Sequence, residues 1–182
     1  MEFKILDNET VKVVRSENYN TIFQKMDGLF MRWGKTKEDD PAYSPIGPEI
    51  LDLEISEGDC PFSCPYCYKG NASGQASYHM TLDEFKTVLS KMPRTLTQVA
   101  FGITGLHSNP DFFKMMEHCR SVGVIPNFTM KGLDTLRAGD EDRIAKLCGA
   151  VAVSWAAETA RVYNNISILT KAFSRKTVNM HF

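Results

Sequence analysis

The chain has 182 residues, of which 43% are hydrophobic and 24% charged, and its formal net charge is -1. This composition is that of an ordinary folded domain and excludes collagen-like and intrinsically disordered chains. With 21 basic and 22 acidic side chains, the chain has no excess of positive charge for general nucleic-acid binding. No apolar run predicts a membrane span or a secretory signal, so we expect a cytoplasmic protein without a membrane partner.

Two β-hairpins are predicted in residues 1–34. The dipeptide Asp7-Asn8 separates the first pair of β-prone runs, and Asp27-Gly28, which is typical of hairpin turns, separates the second pair. Residues 35–48 are rich in charge and proline and are predicted to form a linker. We therefore expect an N-terminal β-hairpin region over 1–34, a linker over 35–48 and a second domain over 49–182.

The second domain is predicted to be of the α/β class. From Glu49 onward, β-prone runs alternate with amphipathic segments of helix length, which is the pattern of repeated β-α units around a parallel sheet. The final strand has no helix after it, which predicts a sheet or barrel that is incomplete at the C-terminus. The predicted strands are 49–56, 98–103, 125–130, 150–155 and 177–182, and the predicted helices begin at Thr81, Asn109, Asp134 and Glu158, the last with Val162, Tyr163, Ile166 and Leu169 inward.

Three of the five cysteines, Cys60, Cys64 and Cys67, lie in one loop after the first strand of this domain, with C-x3-C-x2-C spacing. An odd number of cysteines with three so close together argues against a disulfide framework and for a metal site. Three thiolates can hold a [4Fe-4S] cluster and leave one iron open, whereas structural zinc needs a fourth ligand, for which His79 or another histidine is a candidate. Cys119 and Cys148 lie at positions typical of a hydrophobic core.

This loop resembles the signature of the radical S-adenosylmethionine (radical SAM) superfamily, C-x3-C-x-aromatic-C after the first strand of a partial (β/α)6 barrel. Tyr66 fills the aromatic position. The resemblance covers residues 49–182 and implies a TIM-like partial barrel, here incomplete at the C-terminus. It also implies that Cys60, Cys64 and Cys67 ligate a [4Fe-4S] cluster whose open iron binds the amino and carboxylate groups of S-adenosylmethionine.

In that family, the reduced cluster cleaves S-adenosylmethionine to a 5'-deoxyadenosyl radical, which abstracts hydrogen from a substrate. The resemblance therefore implies a radical SAM enzyme with an electron donor of the flavodoxin or ferredoxin type. The resemblance does not assign the substrate, and both a peptide and a small molecule are compatible with it. The resemblance assigns no catalytic residue.

Further contacts to the cofactor are implied at the carboxyl ends of the strands. The family usually has Gly-Gly-Glu after the second strand, but no carboxylate stands at Gly105 in this chain. We therefore expect the Thr104 hydroxyl, or the backbone carbonyls between Gly102 and Gly105, to accept from the ammonium group of the cofactor. The complete implied set is Tyr66 beside the adenine, Gly102, Thr104 and Gly105 near the methionine end, and Thr129 and Ser154 at the ends of the third and fourth strands.

A second interpretation is a noncatalytic interaction module in which the cysteines hold zinc or a structural iron–sulfur cluster. The missing acid at Gly105 favours this module. The count of three cysteines and the tyrosine before Cys67 favour the enzyme.

Overall fold

The described residues form a four-stranded antiparallel sheet, a five-stranded parallel sheet and a short two-stranded antiparallel pair. The computed structural model describes residues 2–65, 67–155, 159–174 and 176–181. Both predicted hairpins are confirmed, and their inner strands also pair with each other, so that they form one four-stranded antiparallel sheet. Its strands, in the order in which they pair, are β1 (Lys4–Asp7), β2 (Val11–Arg15), β3 (Asn20–Gln24) and β4 (Phe30–Trp33).

Residues 50–181 are mixed α/β around a five-stranded parallel sheet, as the alternating pattern predicts. A short antiparallel pair, formed after the first parallel strand, is an addition that the sequence did not indicate. The elements in chain order are β5 (Ile50–Glu54), β6 (Ser56–Glu57), β7 (Tyr78–His79), α1 (Leu82–Ser90), β8 (Gln98–Gly102), α2 (Phe112–Ser121), β9 (Ile125–Lys131), α3 (Asp140–Leu147), β10 (Val151–Ser154), α4 (Ala160–Phe173) and β11 (Val178–His181).

The start of α1 is confirmed in detail. Thr81 is its N-cap, and the Thr81 hydroxyl accepts from the Glu84 backbone N–H while the Glu84 carboxylate accepts from the Thr81 backbone N–H. The predicted start of α2 is wrong, although Asn109 accepts from the backbone N–H of Asp111 at 2.8 Å through its side-chain oxygen. Its amide donates to the carbonyls of Ile55 and Met80 at 2.9 Å each, and the helix begins only at Phe112.

The predicted starts of the last two helices also need correction. α3 begins at Asp140, not at Asp134, because the Asp134 carboxylate accepts from the backbone N–H of Lys131 and holds a turn there. In α4, Thr159 is the N-cap, and the predicted start at Glu158 lies outside the described residues. Tyr163 is 54% exposed instead of inward, whereas Val162 and Leu169 are fully buried.

The four helices cover one face of the parallel sheet. The strands pair in the order β5, β8, β9, β10, β11, so each new strand joins the same edge. Right-handed crossovers then place every helix on the same side. On that side Phe101, Phe128 and Met130 are at most 4% exposed. The opposite face, which alternates with these residues along each strand, includes the polar side chains of Asp52, Gln98, Asn127, Thr129, Lys131, Ser154 and Asn179.

The antiparallel sheet lies at the amino ends of the parallel strands. The Lys12 ammonium group donates to the carbonyl of Leu96, which precedes β8, at 2.6 Å. Arg32 forms an ion pair of 3.0 Å with Glu49, which precedes β5. The cysteine loop lies at the opposite edge of the parallel sheet, where the strands have their carboxyl ends. Across the described ranges, no helix combines the length and apolar character needed to cross a bilayer.

Asn165 in α4 fixes the turn after β9, and its loss is expected to destabilise the fold. Its buried amide donates to the carbonyls of Gly132 and Asp134, at 2.9 and 2.8 Å. Asn165→Ala leaves both carbonyls without this donor, so we expect the free energy of unfolding to fall by about 2 kcal/mol. Urea denaturation followed by circular dichroism measures the change.

The adjacent Asn164 is exposed on the same helix and provides a matched control. Asn164→Ala makes the same change in helix propensity without losing a buried hydrogen bond. Equal midpoints of denaturation for the two variants would contradict the anchoring role of Asn165.

Candidate metal and cofactor site

The cysteine loop lies at the carboxyl edge of the parallel sheet. It follows β6, directly after the first parallel strand. At this edge Glu54 of β5 pairs with Gly102 of β8, and Lys131 of β9 pairs with Ser154 of β10. The carboxyl ends of parallel strands are where α/β proteins bind their ligands.

Hydrogen bonds between its two ends close the cysteine loop. Asp59 and Ala72 form a β-bridge, and the backbone N–H of Cys60 donates to the carbonyl of Ala72 at 3.3 Å. The Asn71 side chain accepts from the backbone N–H of Gly58 at 2.8 Å. Residues 60–71 therefore form an arc on a fixed base, and all three cysteines lie on it.

Within this arc, each cysteine opens a tight turn. The carbonyls of Cys60, Cys64 and Cys67 accept from the backbone N–H three residues later, at 3.3, 3.0 and 3.0 Å. This pattern is that of consecutive β-turns. It folds the arc back on itself instead of letting it extend from the sheet.

The three thiols differ in surroundings. Cys60 is buried, and its thiol donates to the carbonyl of Thr104 at 3.4 Å. The sulfur of Cys64 accepts from the Lys131 ammonium group at 3.2 Å. Burial opposes ionisation of the Cys67 thiol, but backbone N–H groups of residues 69–71 and the charge of Lys131 outweigh it and lower its pKa. Two of the three sulfurs are thus near one cation.

The side chains have not converged on a metal position. Among the described residues, no three histidine, cysteine, aspartate or glutamate side chains lie close enough together to hold a metal ion. Cys60 faces the turn after β8 and Cys64 faces the end of β9. Three thiols on one arc are nevertheless the donor type that iron–sulfur clusters and zinc take. Binding of either requires the sulfurs to turn toward a common centre.

The predicted turn after β8 lies against the cysteine loop. A β-carbon at Gly102 would lie 2.5 Å from the Lys69 ammonium group, which forms an ion pair of 2.9 Å with Glu54. Thr104 is 3% exposed, and its buried hydroxyl has no hydrogen-bond partner. A glycine at 102 is thus needed for the close approach of Lys69, and Thr104 offers an unused polar atom beside Cys60.

Thr129 and Ser154 both lie on the uncovered face of the sheet, but only Ser154 is at its carboxyl edge. Ser154 is the last residue of β10 and pairs with Lys131, so it reaches the carboxyl edge. Thr129 pairs with Ala152, two residues further into the sheet. Tyr66, the predicted adenine contact, lies outside the described residues.

Asp134 is a site residue that sequence reasoning missed. Its carboxylate oxygen Oδ1 is 3.4 Å from the position of a β-carbon on Gly105, and the residue is 7% exposed. Burial raises the pKa of this carboxyl group, although backbone N–H groups of Lys131 and Leu106 oppose the rise. The loop after β9 therefore places a carboxylate beside Gly105. Only the fold brings the two positions together.

The other two cysteines are core residues, as predicted. Cys119 and Cys148 are both fully buried. Burial raises the pKa of the Cys119 thiol to about 12 and also raises that of Cys148. Neither thiol is suited to bind a metal as a thiolate near neutral pH.

Comparison with known proteins adds no family assignment. The chain matches no protein-family model, and no curated protein has significant similarity to it. Functional inference therefore rests on the cysteine loop, its surroundings and its position on the sheet.

Proposed function

We propose that this chain is the core of a radical SAM enzyme of the cytoplasm. The observation that carries the proposal is the three-cysteine loop at the carboxyl edge of the first strand of an ordered parallel sheet. In the proposal Cys60, Cys64 and Cys67 ligate a [4Fe-4S] cluster, whose fourth iron stays open for S-adenosylmethionine.

The sheet order supports a partial barrel. In a doubly wound sheet the strand order reverses so that helices cover both faces. Here consecutive strands are neighbours throughout, and the helices share one side. In a partial barrel the helices lie outside and the other face of the sheet is the inner one, which here carries the polar side chains of Asp52, Asn127 and Thr129.

The residues of the loop have defined tasks in this proposal. When bound, the cluster and S-adenosylmethionine supply one-electron chemistry that generates a hydrogen-abstracting radical, with a flavodoxin- or ferredoxin-like donor as the electron source. The cysteines would hold the metal as thiolates, and loss of the Cys60 proton would free the Thr104 carbonyl from the hydrogen bond that it now accepts. The protein then has to orient the cofactor and exclude water.

The freed turn after β8 offers acceptors for the ammonium group of S-adenosylmethionine. Thr104 contributes a buried hydroxyl without a partner and, after metal binding, a free carbonyl. Asp134 contributes a carboxylate that is costly to keep charged in its buried position. An ammonium group beside it removes that cost. We propose that Asp134 does here what the acid of Gly-Gly-Glu does in the resembling family.

Metal content after anaerobic reconstitution tests the proposed function. We expect brown protein with about four iron and four sulfide ions per chain, as a [4Fe-4S] cluster requires. Stoichiometric zinc without iron, in colourless protein, would contradict the enzyme proposal.

The noncatalytic module remains the second candidate, and one observation favours it. The Nδ1 atom of His79 is buried without a hydrogen-bond partner, on the strand that pairs with β6 just before Cys60. A zinc ion held by the three cysteines needs one further ligand. His79→Ala separates the candidates, because it removes zinc from the module but leaves iron in the enzyme.

A further inference from the structure

The ammonium group of Lys131 is in contact with one of the cysteine sulfurs. Lys131 ends β9 on the uncovered face of the sheet and donates to the Cys64 sulfur at 3.2 Å. The ammonium group of the nearby Lys69 forms an ion pair with Glu54 at 2.9 Å.

From this contact we infer that Lys131 sets the reduction potential of the metal site. The inference rests on the proposed function, because it takes Cys64 as a ligand of a [4Fe-4S] cluster, and on the Lys131 ammonium group staying beside the Cys64 sulfur when the thiolates turn toward the metal. A hydrogen bond to a ligand sulfur and a positive charge beside it both favour the more negative, reduced form. Lys131 is thus a positioning and tuning residue that acts through Cys64.

The charge balance explains the direction of the effect. A [4Fe-4S] cluster with charge 2+ and three thiolate ligands has a net charge of about -1. Uptake of one electron from the low-potential donor breaks no bond and makes the charge about -2. A neighbouring ammonium group stabilises the second state more than the first, and so raises the potential.

A redox titration of the reconstituted protein, without S-adenosylmethionine, tests the inference. Electron paramagnetic resonance follows the reduced cluster at a series of potentials for the wild type and for Lys131→Met. We expect the ratio of reduced to oxidised cluster at a fixed potential to fall about tenfold in the variant, which is about 59 mV for a one-electron couple.

Three further variants separate charge, hydrogen bond and nonspecific effects. Lys131→Arg keeps the charge and is expected to titrate near the wild type. Lys131→Gln keeps an N–H donor without the charge, and its reduction potential is expected to lie between those of the wild type and Lys131→Met. If Lys131→Met takes up no iron, the comparison is made between the wild type and Lys131→Gln. Lys86→Met removes an exposed lysine on α1 and is expected to change nothing.

The outcomes distinguish the inference from the proposed function. Equal potentials for wild type, Lys131→Met and Lys131→Gln overturn the role of Lys131 while the cluster itself stands. An equal fall in Lys86→Met also overturns it, because the effect would then be one of overall charge. A wild-type protein that takes up no cluster overturns the proposed function, and the inference with it.

Discussion

Replacing Cys60, Cys64 and Cys67 together by alanine is expected to abolish iron binding. The three thiols lie on one closed arc at the edge of the sheet, whereas Cys119 and Cys148 belong to the hydrophobic core cluster. A cluster held by three thiolates has no protein ligand left when all three are removed. Iron and sulfide analysis after anaerobic reconstitution measures the loss, and circular dichroism confirms that the variant is folded.

Single variants sharpen this result. Cys60→Ala, Cys64→Ala and Cys67→Ala should each lose most of the iron, because two remaining thiolates hold the cluster poorly. Cys119→Ala is the matched control, since it removes a buried cysteine of the helix-covered core. It should keep the iron. Full iron content in the triple variant, or equal loss in Cys119→Ala, would contradict the assignment.

Asp134→Asn is expected to weaken binding of S-adenosylmethionine to the reconstituted protein by about 30-fold or more, the effect of losing one partner of a buried charge pair. Two backbone N–H groups already bind the carboxylate, at 3.0 Å from Lys131 and 3.4 Å from Leu106. A carboxylate has about four acceptor sites, so it can still accept from the ammonium group. Equilibrium dialysis measures the affinity.

A ligand control and a variant control make this test specific. Methylthioadenosine has no amino-acid part, so Asp134→Asn should not change its binding. Asp142→Asn removes an exposed carboxylate in the first turn of α3 and should change neither affinity. If Asp134→Asn weakens both ligands equally, or neither, the carboxylate does not bind the ammonium group.

Much of the fold follows from local sequence signals. The Asp27-Gly28 turn, the alternating strands and the Thr81–Glu84 capping box each act over a few residues, so the hairpins, the parallel strands and the start of α1 are predictable. The starts of α2 and α3 are not, because long-range contacts decide them. Asn109 reaches back to Ile55 and Met80, and Asp134 is held by the turn after β9 and by Asn165 of α4.

The candidate site divides in the same way. The spacing of the cysteines makes the loop visible in the sequence, and the alternation of elements places it at the carboxyl edge. Lys131 and Asp134 become site residues only when β9 is laid beside β8 and the loop folds over both. Gly105 and Asp134 are far apart in the chain and have no shared motif, so no spacing rule pairs them.

The most direct test of the central claim is electron paramagnetic resonance of the anaerobically reconstituted, dithionite-reduced protein, with and without S-adenosylmethionine. An open iron that takes the cofactor as a ligand predicts a [4Fe-4S] signal that shifts when S-adenosylmethionine is added, and no signal in the variant lacking Cys60, Cys64 and Cys67. A cluster signal that the cofactor leaves unchanged would contradict the radical SAM proposal.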